Sequence, residues 1–318
     1  MEPPLWAWIA LILGVPVLAM VDLFFFGRGK EKVSVRTASL WSLGWIALGL
    51  SFAIVLSATQ GGTAAGEYLS GYLIEWSLSV DNLFVFAVIF TYFLVPVELQ
   101  PRVLLFGVLG ALVFRGIFIA IGAAALDAAG WVIYVFGAFL IFTAYRLATH
   151  HGEQVDPSRN KLLRIVHRHV PSVPEYHGTN VFIRENGKRF ATPIFAVLLV
   201  VASTDVLFAI DSIPAIFAVT DEAFIVLAAN AFALMGLRAA YFVIVGALDR
   251  FQYLNYGLAA VLGLVGVKML LADVYDPPVY ITLGAVIVVL GTAVLASLWA
   301  TRNDPPARDG EAQVGASG

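Results

Sequence analysis

The sequence predicts an all-α integral membrane protein of about nine transmembrane helices, its N-terminus outside and its C-terminus in the cytoplasm. Three observations lead there. The 318-residue chain is 60% hydrophobic and 13% charged, and its mean hydropathy of +0.87 is far from the balance of a water-soluble domain. Apolar runs long enough to cross about 30 Å of hydrocarbon recur along the chain. Its Lys and Arg residues gather in alternate connections between those runs.

The runs fall at roughly 5–26, 39–58, 68–94, 103–125, 130–148, 193–219, 223–247, 252–271 and 279–299. No basic segment precedes the first, and it is too long for a cleaved signal, so it reads as a retained span. Arg28, Lys30, Lys32 and Arg36 follow that span, and Arg102 lies between the third and fourth. Arg159, Lys161, Arg164, Arg168, Arg184, Lys188 and Arg189 occupy the 149–190 connection. Arg250 sits between the seventh and eighth spans, and Arg302 and Arg308 follow the ninth. The opposite connections carry Glu67, Asp127, Asp221, Glu222, Asp273 and Asp276 with no Lys or Arg. Nine spans place every basic segment in the cytoplasm. The net charge of −3 hides this asymmetry and gives no reason to expect nucleic acid as a partner. Residues 1–302 thus read as one transmembrane domain with a cytoplasmic loop at 149–190, and residues 303–318 as a disordered cytoplasmic tail.

The chemistry is concentrated in spans 3 and 6. Span 3 contains Glu75 and Asp81, with Asn82 next to the second acid. Span 6 contains Asp205 and Asp211, with Ser212 in the equivalent place. Each pair is six residues apart. Acids at membrane depth are costly unless they meet a cavity, a counter-charge or a cation, so two matching copies point to a duplicated cation site. The matching units are longer still. Arg115, Asp127 and Arg146 follow the first motif, and Arg238, Asp249 and Lys268 follow the second. The arginine-to-aspartate steps are 12 and 11 residues, and the arginine-to-last-base steps are 31 and 30. Spans 3–5 and 6–8 therefore read as an inverted three-helix repeat, the arrangement of transporters with a midplane site. Spans 1, 2 and 9 read as peripheral.

Six residues turn a helix by about 240°, so an unbroken helix would aim the two acids of a motif in different directions. Pro214, three residues after Asp211, removes the donor that the Ile210 carbonyl would normally meet. The expectation is a locally opened span 6 that brings both acids and a freed carbonyl to one cavity.

Four acids against Arg115 and Arg238 leave about minus two, the charge that one divalent cation neutralises. That count leaves out Asp22, near the inner end of span 1, and Lys268. Carboxylates, Asn82, Ser212 and backbone carbonyls form an all-oxygen donor set suited to Mg²⁺, Ca²⁺ or Mn²⁺. The chain has no cysteine, which excludes disulfides, thiolate metal sites and thiol redox chemistry. No histidine lies in a span. Clustered carboxylates raise one another's proton affinity, which suggests exchange of the metal for protons. In a purely structural use, the acids pair with Arg115 and Arg238 to fasten the helices. That accounts for the arginines but leaves four acids against two bases.

The segments IEWSLSVDNLFVFAVIF (74–90), TDVLFAIDSIPAIFAVT (204–220) and NAFALMGLRAAYF (230–242) closely resemble the TerC family of integral membrane proteins, in particular its Alx-like branch. The likeness runs from about residue 15 to 300 and includes the Ala191-Thr192-Pro193 turn before span 6. The family takes its name from tellurium resistance, and members have been assigned to manganese export. The resemblance implies a multi-pass protein of the bacterial inner membrane that exports Mn²⁺ or a related hard cation. It also implies that Glu75, Asp81, Asp205 and Asp211 bind the ion beside Asn82 and Ser212, with Arg115 and Arg238 as supporting salt bridges. The expected partners are the transported ion and the lipid bilayer, with self-assembly left open. No cofactor and no enzymatic activity are expected.

Other features carry less. His150, His151, His167, His169 and His177 all fall in the cytoplasmic loop and read as parts of a solvated connector. Residues 161–170 read as a short amphipathic helix on the inner membrane face. The Gly-x-Gly-Asp sequence of intramembrane aspartyl proteases is absent. A non-transporting scaffold or a component of stress resistance is the alternative to a transporter.

Overall fold

Runs of apolar residues in hydrocarbon must satisfy their backbone groups internally, and the helix is the local way to do so. The computed structural model describes residues 3–26, 35–149, 170–185, 187–244, 253–274 and 277–301. Five helices come first: α1 (Leu5–Phe26), α2 (Val35–Gln60), α3 (Gly62–Tyr92), α4 (Gln100–Ala128) and α5 (Val132–Thr149). Two short strands follow, β1 (Phe182–Glu185) and β2 (Lys188–Ala191). The chain then forms α6 (Pro193–Phe217), α7 (Ala223–Ile244), α8 (Leu254–Leu270) and α9 (Val279–Ala300). Proline opens α4 and α6 within their first turns, where its missing N–H removes no helical bond.

Seven of these helices, α1, α2, α4, α5, α6, α7 and α9, are long and apolar enough to cross a membrane. The other two match expected spans that fall outside that group. Helix α3, 31 residues long, carries Glu67, Glu75 and Asp81, and α8 has only 17 residues. Large apolar side chains of α1, α2 and α9 stay exposed, among them Trp6, Leu13, Ile54, Val288 and Leu295, as a lipid-facing surface requires.

The membrane domain is helical as expected, and the connection before α6 adds one short hairpin in which β1 and β2 pair antiparallel, with Arg184 opposite Arg189 and Glu185 opposite Lys188. One expectation is corrected. Span 6 is not opened. Helix α6 runs unbroken through Pro214 to Phe217, and the Ala218 N–H bonds the Pro214 carbonyl at 3.0 Å. Pro214 stands in the last turn, so its missing donor affects one carbonyl near the helix end and leaves the middle intact. The amphipathic segment, all the histidines except His177, and the tail from residue 302 onward lie outside the described residues.

The packing places α7 at the centre, with 89% of its span buried. It lies against α2, α3 and α4; α6 packs on α3 and α4, and α5 on α8. Helix α9 covers α3 and α8, while α1 rests on α4 and α7. The α5–α8 contact is close because both helices present glycine. A Cβ on Gly137 would stand 3.0 Å from the Gly266 carbonyl oxygen, and one on Gly266 would stand 2.9 Å from that of Gly137. On one side the loop is tied to α3 through the Tyr176 hydroxyl, which donates to the Phe93 carbonyl at 2.7 Å.

Candidate cation site

A buried arginine needs acceptors on every side it presents, because an unpaired charge in an apolar interior is very costly. Arg115, in the middle of α4, is 1% exposed and finds them on three helices. Its Nη1 donates to Glu75 Oε1 from α3, to Asn230 Oδ1 from α7 at 2.7 Å and to Ser212 Oγ from α6 at 3.3 Å. Its Nη2 lies 3.5 Å from Asp205 Oδ1. Glu75 and Asp205, equivalent acids of the two motifs, thus meet at one guanidinium, as the expected salt bridge for Arg115 requires. Ser79 Oγ donates to Glu75 Oε1 at 3.4 Å. Glu75 Oε2 and Asp205 Oδ2 are buried with no hydrogen-bond partner among the described residues.

Beside this cluster lies a cavity of about 120 Å³, lined by Asn82, Arg115, Thr143, Asp211 and Ser212 together with Leu78 and Phe208. Asp211 is half-buried and accepts a hydrogen bond from Thr143 Oγ1 of α5 at 3.2 Å. It makes no ion pair among the described residues. Because α6 is continuous, Asp205 and Asp211 diverge as helical spacing demands. Asp205 points to the guanidinium and Asp211 to the cavity, with Ser212 touching both. Asn82 is 3% exposed and reaches the same cavity from α3. Asp81 stands on α3 one residue before it, but its side chain lies outside the described residues.

Five of the six expected donors therefore gather around Arg115 and its cavity: Glu75, Asn82, Asp205, Asp211 and Ser212. They do not form a preassembled ion cage. Among the described residues, no three acids or histidines stand close enough together to hold a metal, and Arg115 stands between Glu75 and Asp205. Arg238 was expected to brace the same acids. Its described anion is Asp22 of α1, which the charge count had left out, at 2.7 Å between Nη2 and Oδ2.

Sequence reasoning did not single out Asn230 or Thr143, and gave Asp22 no role. Asn230 is fully buried and its Nδ2 donates to the Val226 carbonyl at 3.0 Å, which holds its oxygen toward Arg115. Its signal was available as an amide eight residues before Arg238 in a helix that is otherwise almost entirely apolar. Thr143 offered no comparable signal, because a lone threonine in a span commonly bonds its own helix.

A second polar cavity, about 230 Å³, lies at the C-terminal end of α6, lined by Glu67, Thr220, Asp221 and Lys268. There Thr220 Oγ1 donates to Glu67 Oε2 at 2.7 Å.

Comparison with known proteins gives the family. The profile of the Integral membrane protein TerC family matches residues 60–305. The chain is 41% identical over 317 residues to Alx of Escherichia coli K12, provisionally described as a membrane-bound redox modulator, covering 97% of this chain and 98% of that protein. It is 42% identical over 305 residues to an uncharacterised membrane protein of Myxococcus xanthus, with 96% and 95% covered. It is 40% identical over 273 residues to another from Mycobacterium bovis, with 85% and 69% covered. No solved structure matches. The chain belongs to the TerC family of integral membrane proteins.

Proposed function

We propose that this protein exports Mn²⁺, or a closely related hard divalent cation, from the cytoplasm across the bacterial inner membrane in exchange for protons. The observation that carries this reading is the cavity between α3, α5 and α6, where Asn82, Asp211, Ser212 and Thr143 present oxygen beside Arg115. Water-filled polar cavities beside intramembrane acids are where ion pathways run. The donors are all oxygen, which favours Mg²⁺, Ca²⁺ or Mn²⁺ over soft metals.

In this reading the chain has nine spans, with the N-terminus outside. The packing supports an inverted repeat of α3–α5 and α6–α8. Helix α3 lies on α7 as α4 lies on α6, and α5 meets α8 directly, the contacts that exchanging the halves about a two-fold axis would give. Glu75 and Asp205 each have an oxygen without a hydrogen-bond partner among the described residues, and together they exceed the charge of Arg115 by one. A cation or a proton supplies what these oxygens lack, which supports exchange of one for the other. Loading then requires Arg115 to give up part of its hold on the two acids.

One observation favours a second reading. Arg115 ties α3, α4, α6 and α7 together, as a scaffold or stress-resistance component with no cargo would need. The redox role in the provisional description of Alx does not carry over as thiol chemistry, since this chain has no cysteine.

Uptake of Mn²⁺, Ca²⁺ and Mg²⁺ into inverted vesicles separates the two readings. The transporter accumulates Mn²⁺ and responds to an imposed pH gradient. Vesicles that accumulate none of the three ions, with the protein folded, leave the scaffold reading in place. Accumulation that ignores the pH gradient removes the proton exchange.

A further inference from the structure

Each Nη of a guanidinium carries two hydrogens and accepts nothing. Around Arg115 Nη1 there are nevertheless three acceptors: Glu75 Oε1 from α3, Asn230 Oδ1 from α7 at 2.7 Å and Ser212 Oγ from α6 at 3.3 Å. The rest of the group is served more sparely. Nη2 lies 3.5 Å from Asp205 Oδ1, and Nε has no hydrogen-bond partner among the described residues. The surplus of acceptors thus falls on the nitrogen that Glu75 shares with two neutral groups. When Glu75 departs, both Nη1 hydrogens still meet an oxygen, and no buried donor is orphaned.

The local structure fits Asn230 to remain and Glu75 to leave. Asn230 is fully buried, and its Nδ2 donates to the Val226 carbonyl one turn earlier in α7 at 3.0 Å, which keeps the amide oxygen on the arginine. The amide carries no net charge, so the pull of a divalent cation falls chiefly on the carboxylate. Glu75 Oε2 is buried with no hydrogen-bond partner among the described residues. Leu78 and Asn82, three and seven residues farther along α3, line the cavity, and that spacing puts them on the helix face that Glu75 occupies.

We propose that Asn230 is a positioning residue of the transport site, which retains Arg115 through Nη1 while Glu75 turns from the guanidinium to the cation. Glu75 is then the acid that exchanges partners, and Asp205 the one that stays with the arginine. The inference rests on the export reading above.

The test is Mn²⁺ flux in proteoliposomes made with the full chain, at alkaline pH where protons compete least, comparing wild type, Asn230→Leu and Asn230→Asp. Asn230→Leu leaves Nη1 one acceptor short once Glu75 departs. Its apparent KM for Mn²⁺ should rise by about tenfold or more, the scale of a lost hydrogen bond to a charged group. Asn230→Asp gives Nη1 a charged acceptor that frees Glu75, so its KM should fall by about tenfold while slower release lowers the maximal rate. An amide that only fastened the helices would lower the folded fraction in both variants and leave KM alone. A folded variant with unchanged KM therefore overturns the proposal, as do shifts of the same sign in both. If one variant does not fold, the sign of the KM shift in the other decides. If neither folds, the amide is a structural requirement and the proposal falls. Absence of wild-type flux is a different failure, which removes the export reading and this inference together.

Discussion

Arg115 decides the electrostatics of the core. At 1% exposure, between Glu75 and Asp205, it is the cation that, among the described residues, makes two buried acids tolerable. Removing one partner of a buried ion pair typically costs about 3–5 kcal/mol, because the other charge is left uncompensated. Arg115→Met should lower unfolding stability in detergent by an amount of that order. A loss below about 1 kcal/mol would show that the bridge does not hold the helices. Much of this was legible in the sequence. Ionisable residues at membrane depth are few; the six-residue spacing repeated in two spans marked Glu75, Asp81, Asp205 and Asp211, and the longer repeat marked Arg115 and Arg238. The roles of Asn230, Thr143 and Asp22 were not legible. Each depends on a neighbour far along the chain, such as the 115-residue separation of Asn230 and Arg115, and no local spacing encodes it.

The helices were the easiest elements to anticipate. Length and apolar content place them, and in hydrocarbon the helix is the conformation that satisfies each segment's backbone groups within itself. The opened span was misread because proline chemistry was weighed without its position in the helix. In the last turn Pro214 costs little; in the middle it would have broken α6. The hairpin was passed over because its four-residue strands lie in a charged connection and repeat too briefly to announce themselves. What the sequence could not convey at all was how closely α5 and α8 approach. Gly266 tests that contact. A Cβ there would stand 2.9 Å from the Gly137 carbonyl oxygen and 2.9 Å from Ile141 Cγ1. Gly266→Ala should therefore destabilise by about 1–3 kcal/mol, the usual cost of overpacking. Gly110→Ala, with nothing within 4 Å of the new methyl, should be neutral or stabilising by thermal unfolding. Equal effects at the two positions would rule out a close α5–α8 crossing.

For the molecule as a whole, the proposed topology makes a prediction suited to a chain without cysteine. Single cysteines at Asp127 and Arg184, both exposed, should label from opposite sides with an impermeant maleimide. Asp127→Cys should react in intact cells, and Arg184→Cys only in inverted vesicles. Labelling of both from the same side would contradict the nine-span arrangement and the inverted repeat that depends on it. The repeat in turn gives the central claim its form: two halves bring equivalent acids to the middle of the bundle, and Asp211 faces the cavity beside them. Mn²⁺ flux in proteoliposomes, compared between wild type and Asp211→Asn at equal reconstitution, tests that claim most directly. The account predicts robust flux in the wild type and its loss in Asp211→Asn, whereas undiminished flux in that variant would contradict it.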